Sequence, residues 1–100
     1  MAMMEISVVP LGTGSPSVSE YVAGAVKILR NKPGITYELT AMGTIVVGEA
    51  DTLLALAGKM HRSALAAGAV RVVTSLKIDE RTDKPLTIKG KKRAVHEKLD

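Results

Sequence analysis

Ile6-Ser7-Val8-Val9-Pro10-Leu11-Gly12-Thr13-Gly14-Ser15-Pro16-Ser17-Val18-Ser19-Glu20-Tyr21-Val22 is the stretch that decides how this chain is read. An alternating apolar run gives way to a turn of Gly, Pro and hydroxyl residues, then to apolar residues at helical spacing, so it reads as strand, turn and helix in succession. The alternation begins at Met4: Met4, Ile6 and Val8 share one face and Glu5, Ser7 and Val9 the other. Gly12 and Gly14 permit positive φ and close approach of another group. Ser17 with Glu20 has the spacing of a capping box, and Ser15 before Pro16 is an alternative cap. Hydroxyls on Thr13, Ser15, Ser17 and Ser19, together with backbone N–H groups at a helix start, suit a small polar or anionic ligand. The competing reading is a turn that caps its own helix and binds nothing.

Working outward, Val18, Tyr21, Val22, Ala25, Val26 and Leu29 form a helical stripe that predicts a first helix of about four turns, stopped by Asn31-Lys32-Pro33-Gly34. Ile35, Tyr37 and Leu39 alternate, Ala41-Met42-Gly43 interrupts, and Thr44 to Val47 resumes, which reads as a hairpin. Asp51 is the expected cap of a second helix with the stripe Leu53, Leu56, Ala57, Met60, Ala64 and Ala67, and Gly68 ends it. Val70, Val72, Thr74, Leu76 and Ile78 alternate along the longest strand, which a polar turn from Glu80 to Pro85 closes. Residues 86–100 read as a basic tail with a short, weakly apolar C-terminal helix.

The order β-α-β-β-α-β is that of an α+β, ferredoxin-like fold, an antiparallel sheet in the order 4-1-3-2 with both helices on one face. On this reading strands one and three run parallel and adjacent. That sets the Gly12–Ser19 turn beside Val47 and Glu49 and brings Arg71 and Tyr37, at the starts of strands four and two, to the same rim. The outer strands are long, unprotected edges and Val9 and Val73 lie on the face away from the helices, which together predict a homo-oligomer.

Composition narrows the function. The 100 residues suit one domain, 1–100, and the 46% hydrophobic and 24% charged content is that of a globular chain. Aromatics are confined to Tyr21 and Tyr37, so base-stacking platforms are missing and nucleic acid is an unlikely partner, even though residues 77–100 hold much of the net charge of +4. The absence of cysteine removes thiolate chemistry and Cys-based zinc sites and fits the cytoplasm. No apolar run approaches 18 residues and no basic-then-apolar leader opens the chain, so no membrane role is expected. His61 and His96 have no second ligand at metal spacing, Ser15 and Ser17 have no adjacent base, and Asp79-Glu80-Arg81-Thr82-Asp83 lacks the spaced oxygens of a calcium loop. We expect no metal, no cofactor and no catalysis.

Val9 to Val22, Tyr37-Glu38-Leu39-Thr40-Ala41-Met42-Gly43-Thr44 and Arg71-Val72-Val73-Thr74-Ser75-Leu76-Lys77-Ile78-Asp79-Glu80-Arg81 together resemble the small thiamine-binding family related to YkoF, over about residues 5 to 97. The resemblance implies a ferredoxin-like protomer assembling as a dimer of dimers, a homotetramer, that binds thiamine or its hydroxymethylpyrimidine moiety without catalysis. It also implies a glutamate where this chain has Val47, with Glu49 as the nearby carboxylate. The candidate ligand-binding residues are thus Gly12, Thr13, Gly14, Ser15, Ser17, Ser19, Tyr37, Val47, Glu49 and Arg71. The alternative is a structural or regulatory protein-interaction module using the open sheet and the basic tail.

Overall fold

The computed structural model describes residues 1–99; of the tail predicted over 86–100, Asp100 lies outside them. Alternation makes β1 (Ala2–Leu11) a strand whose even-numbered residues are buried: Ala2, Met4, Ile6 and Val8 are all at most 6% exposed. After α1 (Ser19–Lys27) come the hairpin strands β2 (Thr36–Leu39) and β3 (Thr44–Gly48), then α2 (Ala50–Ala66), β4 (Arg71–Glu80) and α3 (Ile88–Leu99). The sheet order is β2-β3-β1-β4, as the ferredoxin-like reading requires. The core lies between this sheet and the stripe Leu53, Leu56, Ala57, Met60 and Ala64 of α2, joined by Ala25 and Leu29 from the α1 side and Val46 from β3. With no Phe or Trp, methionine fills the irregular gaps: Met4 and Met60 are among the largest fully buried side chains.

One expectation is overturned. β1 and β3 pair antiparallel, from Ala2 opposite Gly48 to Ile6 opposite Thr44. The reason is topological: the crossover through α1 makes β2 parallel to β1 but leaves a gap, and β3, returning by a tight turn, fills that gap and must oppose both neighbours. Val47 and Glu49 therefore lie at the Ala2 end of β1, away from Gly12. The Leu11 end is instead shared by Arg71, opposite Leu11, and by the tip of the β2–β3 hairpin.

The helix ends also differ from the spacing. α1 has 9 residues, and bonds from Ile28 to Ala25, Leu29 to Val26 and Arg30 to Lys27 tighten its last turn into i→i−3 form before Asn31 takes φ +58°. The stripe continues to Leu29 because that side chain is core, although the α-helix has already ended. Ser17 does not cap α1: Val18 is the N-cap and makes no side-chain bond. Asp51 does not cap α2 either. The helix starts two residues earlier than expected, at Ala50 after Glu49, and leaves Asp51 in the first turn, where its charge still favours the helix dipole. At the other end Ala69 N–H donates to Ala64 O and Gly68 N–H to Leu65 O, with Gly68 at φ +109°, a Schellman closure of the kind that the glycine predicts.

Beyond β4, Arg81 holds Asp83 with a forked pair of hydrogen bonds. Leu86 is buried, and Thr87 caps α3 by accepting from Gly90 N–H at 2.9 Å. None of the α3 residues is buried. The radius of gyration of 14.8 Å exceeds the about 13 Å of a compact chain of this length, consistent with α3 standing out from the body.

Two glycines predict opposite outcomes. A Cβ on Gly48 would sit 2.9 Å from Ile35 Cγ2 and 3.3 Å from Gly34 O, so Gly48→Ala is expected to destabilise by about 1–3 kcal/mol in urea unfolding. Gly24 sits within α1 with nothing within 4 Å of its Cβ position, and Gly24→Ala should stabilise by about 0.5–1 kcal/mol. The Arg81 fork, chiefly through its hydrogen bonds, lowers the Asp83 carboxyl to about 2 and raises the Arg81 guanidinium in turn. An NMR titration should find that midpoint, and Arg81→Lys should return Asp83 toward the ordinary carboxylate range. Because the folded value is depressed, whatever this exposed pair adds to stability is complete above the ordinary value and vanishes as pH falls through about 2.

Candidate functional site

The first-helix stripe contains more apolar residues than the core consumes. Ala25 is buried, but Val18, Val22 and Val26, four residues apart, are only partly covered and form one wall of a cleft. The opposite wall is the hairpin, Leu39 to Thr44, and the floor is made by Ile6 and Val8 of β1 with Met60 of α2. The hairpin tip is fixed locally: Thr40 N–H donates to Gly43 O at 2.8 Å, and Thr40 Oγ1 donates to the same oxygen at 2.7 Å. Gly43 is needed where the tip crosses β1, since a Cβ there would lie 3.0 Å from Ile6 O.

The inner cleft, of about 260 Å³, continues along α1 into an outer groove of about 610 Å³. The two share Val18, Val22, Val26, Leu39 and Thr40. Polar groups stand at both ends of the groove. Ser17 and Ser19 flank the start of α1, and Lys27 and Arg30 flank its end. Leu39, on the helix-facing side of its strand, is nonetheless 59% exposed because no helix covers β2. An apolar slot between hydroxyls and cations is suited to a flat ring with a polar edge and an anionic substituent. No acid or histidine lines either part.

The predicted site residues divide into groups. Gly12, Thr13, Gly14 and Ser15 form the rim loop at the Leu11 end, with Gly12 and Gly14 at φ +73° and +80° as anticipated. Several of the loop hydroxyls serve the loop itself: Thr13 Oγ1 donates to Ser15 O at 3.1 Å, and Ser15 Oγ accepts from Ser17 N–H at 3.2 Å. Ser17 and Ser19, whose hydroxyls are 3.5 Å apart, reach the groove. Arg71 shares the rim's end of the sheet, but its register with Leu11 puts it on the face away from the helices and so away from the cleft. Tyr37 opposes Val46, toward the other end of the sheet. Val47 is 4% exposed on the face away from the helices, and Glu49 occupies the N-cap position of α2, without a side-chain cap bond, at that same distant end. The expected convergence of Tyr37, Val47 and Glu49 on the turn therefore does not occur; Arg71 does lie at the turn's end of the sheet, opposite Leu11, but on the face away from the helices.

Sequence reasoning missed Val22, Val26, Lys27, Arg30, Leu39 and Thr40 as a wall-and-rim set. A signal was present in the pairing of a long valine stripe with a four-residue β2, too short to cover it. Among the described residues no group of three His, Asp or Glu side chains is placed to hold a metal, and no helix is long and apolar enough to cross a membrane.

Comparison with known proteins places this geometry in a family. The chain is 42% identical to a UPF0045 protein of Methanothermobacter thermautotrophicus over 99% of this chain and 100% of that one. It is 38% identical to the UPF0045 protein YqgV of Bacillus subtilis, with 99% and 98% covered. The crystal structure of MJ1052 from Methanocaldococcus jannaschii superposes with a TM-score of 0.86 at 40% identity, covering 96% of both chains. Residues 4–96 match the model of the thiamine-binding proteins, a span that includes the cleft, the rim and every strand of the sheet but β1's first residues, and the chain belongs to that family.

Proposed function

We propose that this protein binds thiamine or a related pyrimidine-bearing molecule in the cleft between α1 and the β2–β3 hairpin, without converting it, and does so as a homo-oligomer. The observation that carries the reading is the cleft itself: apolar walls of Val18, Val22, Val26 and Leu39, with hydroxyls at one end and two cations at the other, in a chain of the thiamine-binding family. Each part of such a ligand has a counterpart. A flat ring gains dispersion and apolar burial between the valine ridge and Leu39. An amino group and ring nitrogens have Ser17, Ser19 and Thr40 as partners. The thiazolium cation is not favoured by Lys27 and Arg30, whereas a phosphate attached to it would be. The groove thus favours a phosphorylated form over the free vitamin. Catalysis would need a group positioned to take or give a proton, and the groove presents hydroxyls, backbone amides, Lys27 and Arg30, with no carboxylate or imidazole among its lining.

Titration calorimetry with thiamine, its pyrimidine fragment and its phosphates is the test. Saturable heat is expected, strongest for a phosphorylated form. Val22→Trp, which fills the slot, should abolish it while the circular dichroism spectrum is unchanged. Arg30→Glu should weaken the phosphorylated ligand by about tenfold or more and leave the pyrimidine fragment unaffected. An absence of saturable heat with all of these at millimolar ligand overturns the reading.

A further inference from the structure

β1 is longer than the hairpin beside it. Its pairing with β3 ends at Ile6 opposite Thr44, while its pairing with β4 runs on to Leu11, so residues 7–11 have a strand on one side and none on the other. In an antiparallel ladder the N–H and C=O of one residue point to the same side, and those of the next residue to the opposite side. Ile6 sets the phase: a Cβ on Gly43 would lie 3.0 Å from Ile6 O, which therefore points toward the hairpin. Two residues on, the N–H and C=O of Val8 point the same way, past the tip, where no strand receives them. Pro10 agrees with this phase, since a residue without an N–H is tolerated where the ladder is open.

Those two groups lie in the cleft. Ser7, Val8 and Val9 line its inner part together with Ala41, Met42 and Gly43 of the hairpin tip. The hydrogen bonds of the rim loop stay within the loop and those of the tip within the tip, so neither set reaches Val8. Val8 is nevertheless only 6% exposed. Buried main-chain groups are almost always paired, so a donor and an acceptor left side by side at the floor of a cleft call for a partner.

We propose that the N–H and C=O of Val8 read the edge of a heteroaromatic ring that carries an amino group next to a ring nitrogen. The ring nitrogen accepts from Val8 N–H and the amino group donates to Val8 C=O, so the ligand takes the place that a residue of β3 would hold if the hairpin were longer. Hydroxyls alone would select less sharply, because each serves as donor or acceptor, whereas a main-chain amide has one fixed donor and one fixed acceptor. A ring with an oxo group beside a protonated nitrogen presents the reverse order and is refused. Thr40, Ser17 and Ser19 are left for the second amino hydrogen and the other ring nitrogen. Val8 thus supplies ring selection to the site proposed above, on which this assignment rests.

Amide hydrogen exchange followed by NMR on the full chain tests it. In the free chain the Val8 amide should exchange about tenfold or more faster than those of Ile6 and Val9, which the flanking ladders hold. The pyrimidine fragment of thiamine at saturation should slow Val8 by about tenfold or more and shift its amide proton. Its analogue with an oxo group in place of the amino group should do neither, and should bind about tenfold or more weakly in calorimetry. Val8→Pro deletes an N–H on the side where Pro10 already lacks one. Its circular dichroism spectrum should match that of the parent, while affinity for the amino fragment falls about tenfold or more. A Val8 amide as slow as its neighbours in the free chain, an amino fragment that binds without slowing Val8, an oxo analogue that binds equally, or a folded V8P chain that binds undiminished overturns the assignment and leaves the cleft reading standing. No saturable heat with either ring overturns both.

Discussion

Four side chains of β1, Ala2, Met4, Ile6 and Val8, face the helices and are almost wholly removed from water, and the rest of the molecule is arranged about them. β1 is central in the sheet, so it is the strand both helices must cover and the strand both inner ladders depend on. Shifting its register by one residue would bury Glu5 and Ser7 and expose Met4 and Ile6, a reversal no neighbour could compensate. The opposing α2 contributes Leu53, Leu56, Ala57 and Met60, and this pairing of strand and helix fills the core without aromatic residues.

The antiparallel placement of β3 and β4 on either side of β1 decides which loops become neighbours. It brings the hairpin tip and the Gly12–Ser19 loop to one end, and the starts of β1 and α2 to the other. The cleft arises where this arrangement runs out of cover. α1 is short, β2 is shorter, and the valines between them have apolar surface that the core does not take up. A cleft of this kind is a packing deficit bordered by polar groups, and membership of the thiamine-binding family gives that deficit a chemical context.

The same shortage of cover explains the outer edge. α2 shields the helix face of β4 around Thr74, which His61 Nδ1 meets at 2.7 Å, but Leu76 and Ile78 remain partly exposed and the edge itself is bare. On the open face of the same strand Asp79 is bound by Lys91 of α3 at 2.5 Å, and Lys77 lies 3.6 Å from Glu5 of β1.

Local patterning in the sequence determined the elements, their order and the buried faces, because alternation and helical spacing are properties of consecutive residues: Met4, Ile6 and Val8, and Leu53 to Ala64, are where the pattern put them. The two left-handed glycines of the rim and the Gly68 closure of α2 were equally legible, since only residues without a Cβ take those conformations cheaply. Strand direction was not. Whether β3 runs with or against β1 depends on which gap in the sheet it enters, and no residue of β3 records that. The tertiary structure alone therefore moved Val47 and Glu49 to the far end, turned Arg71 to the other face, and made one wall of a cleft from Val18, Val22 and Val26, whose spacing is equally that of a core.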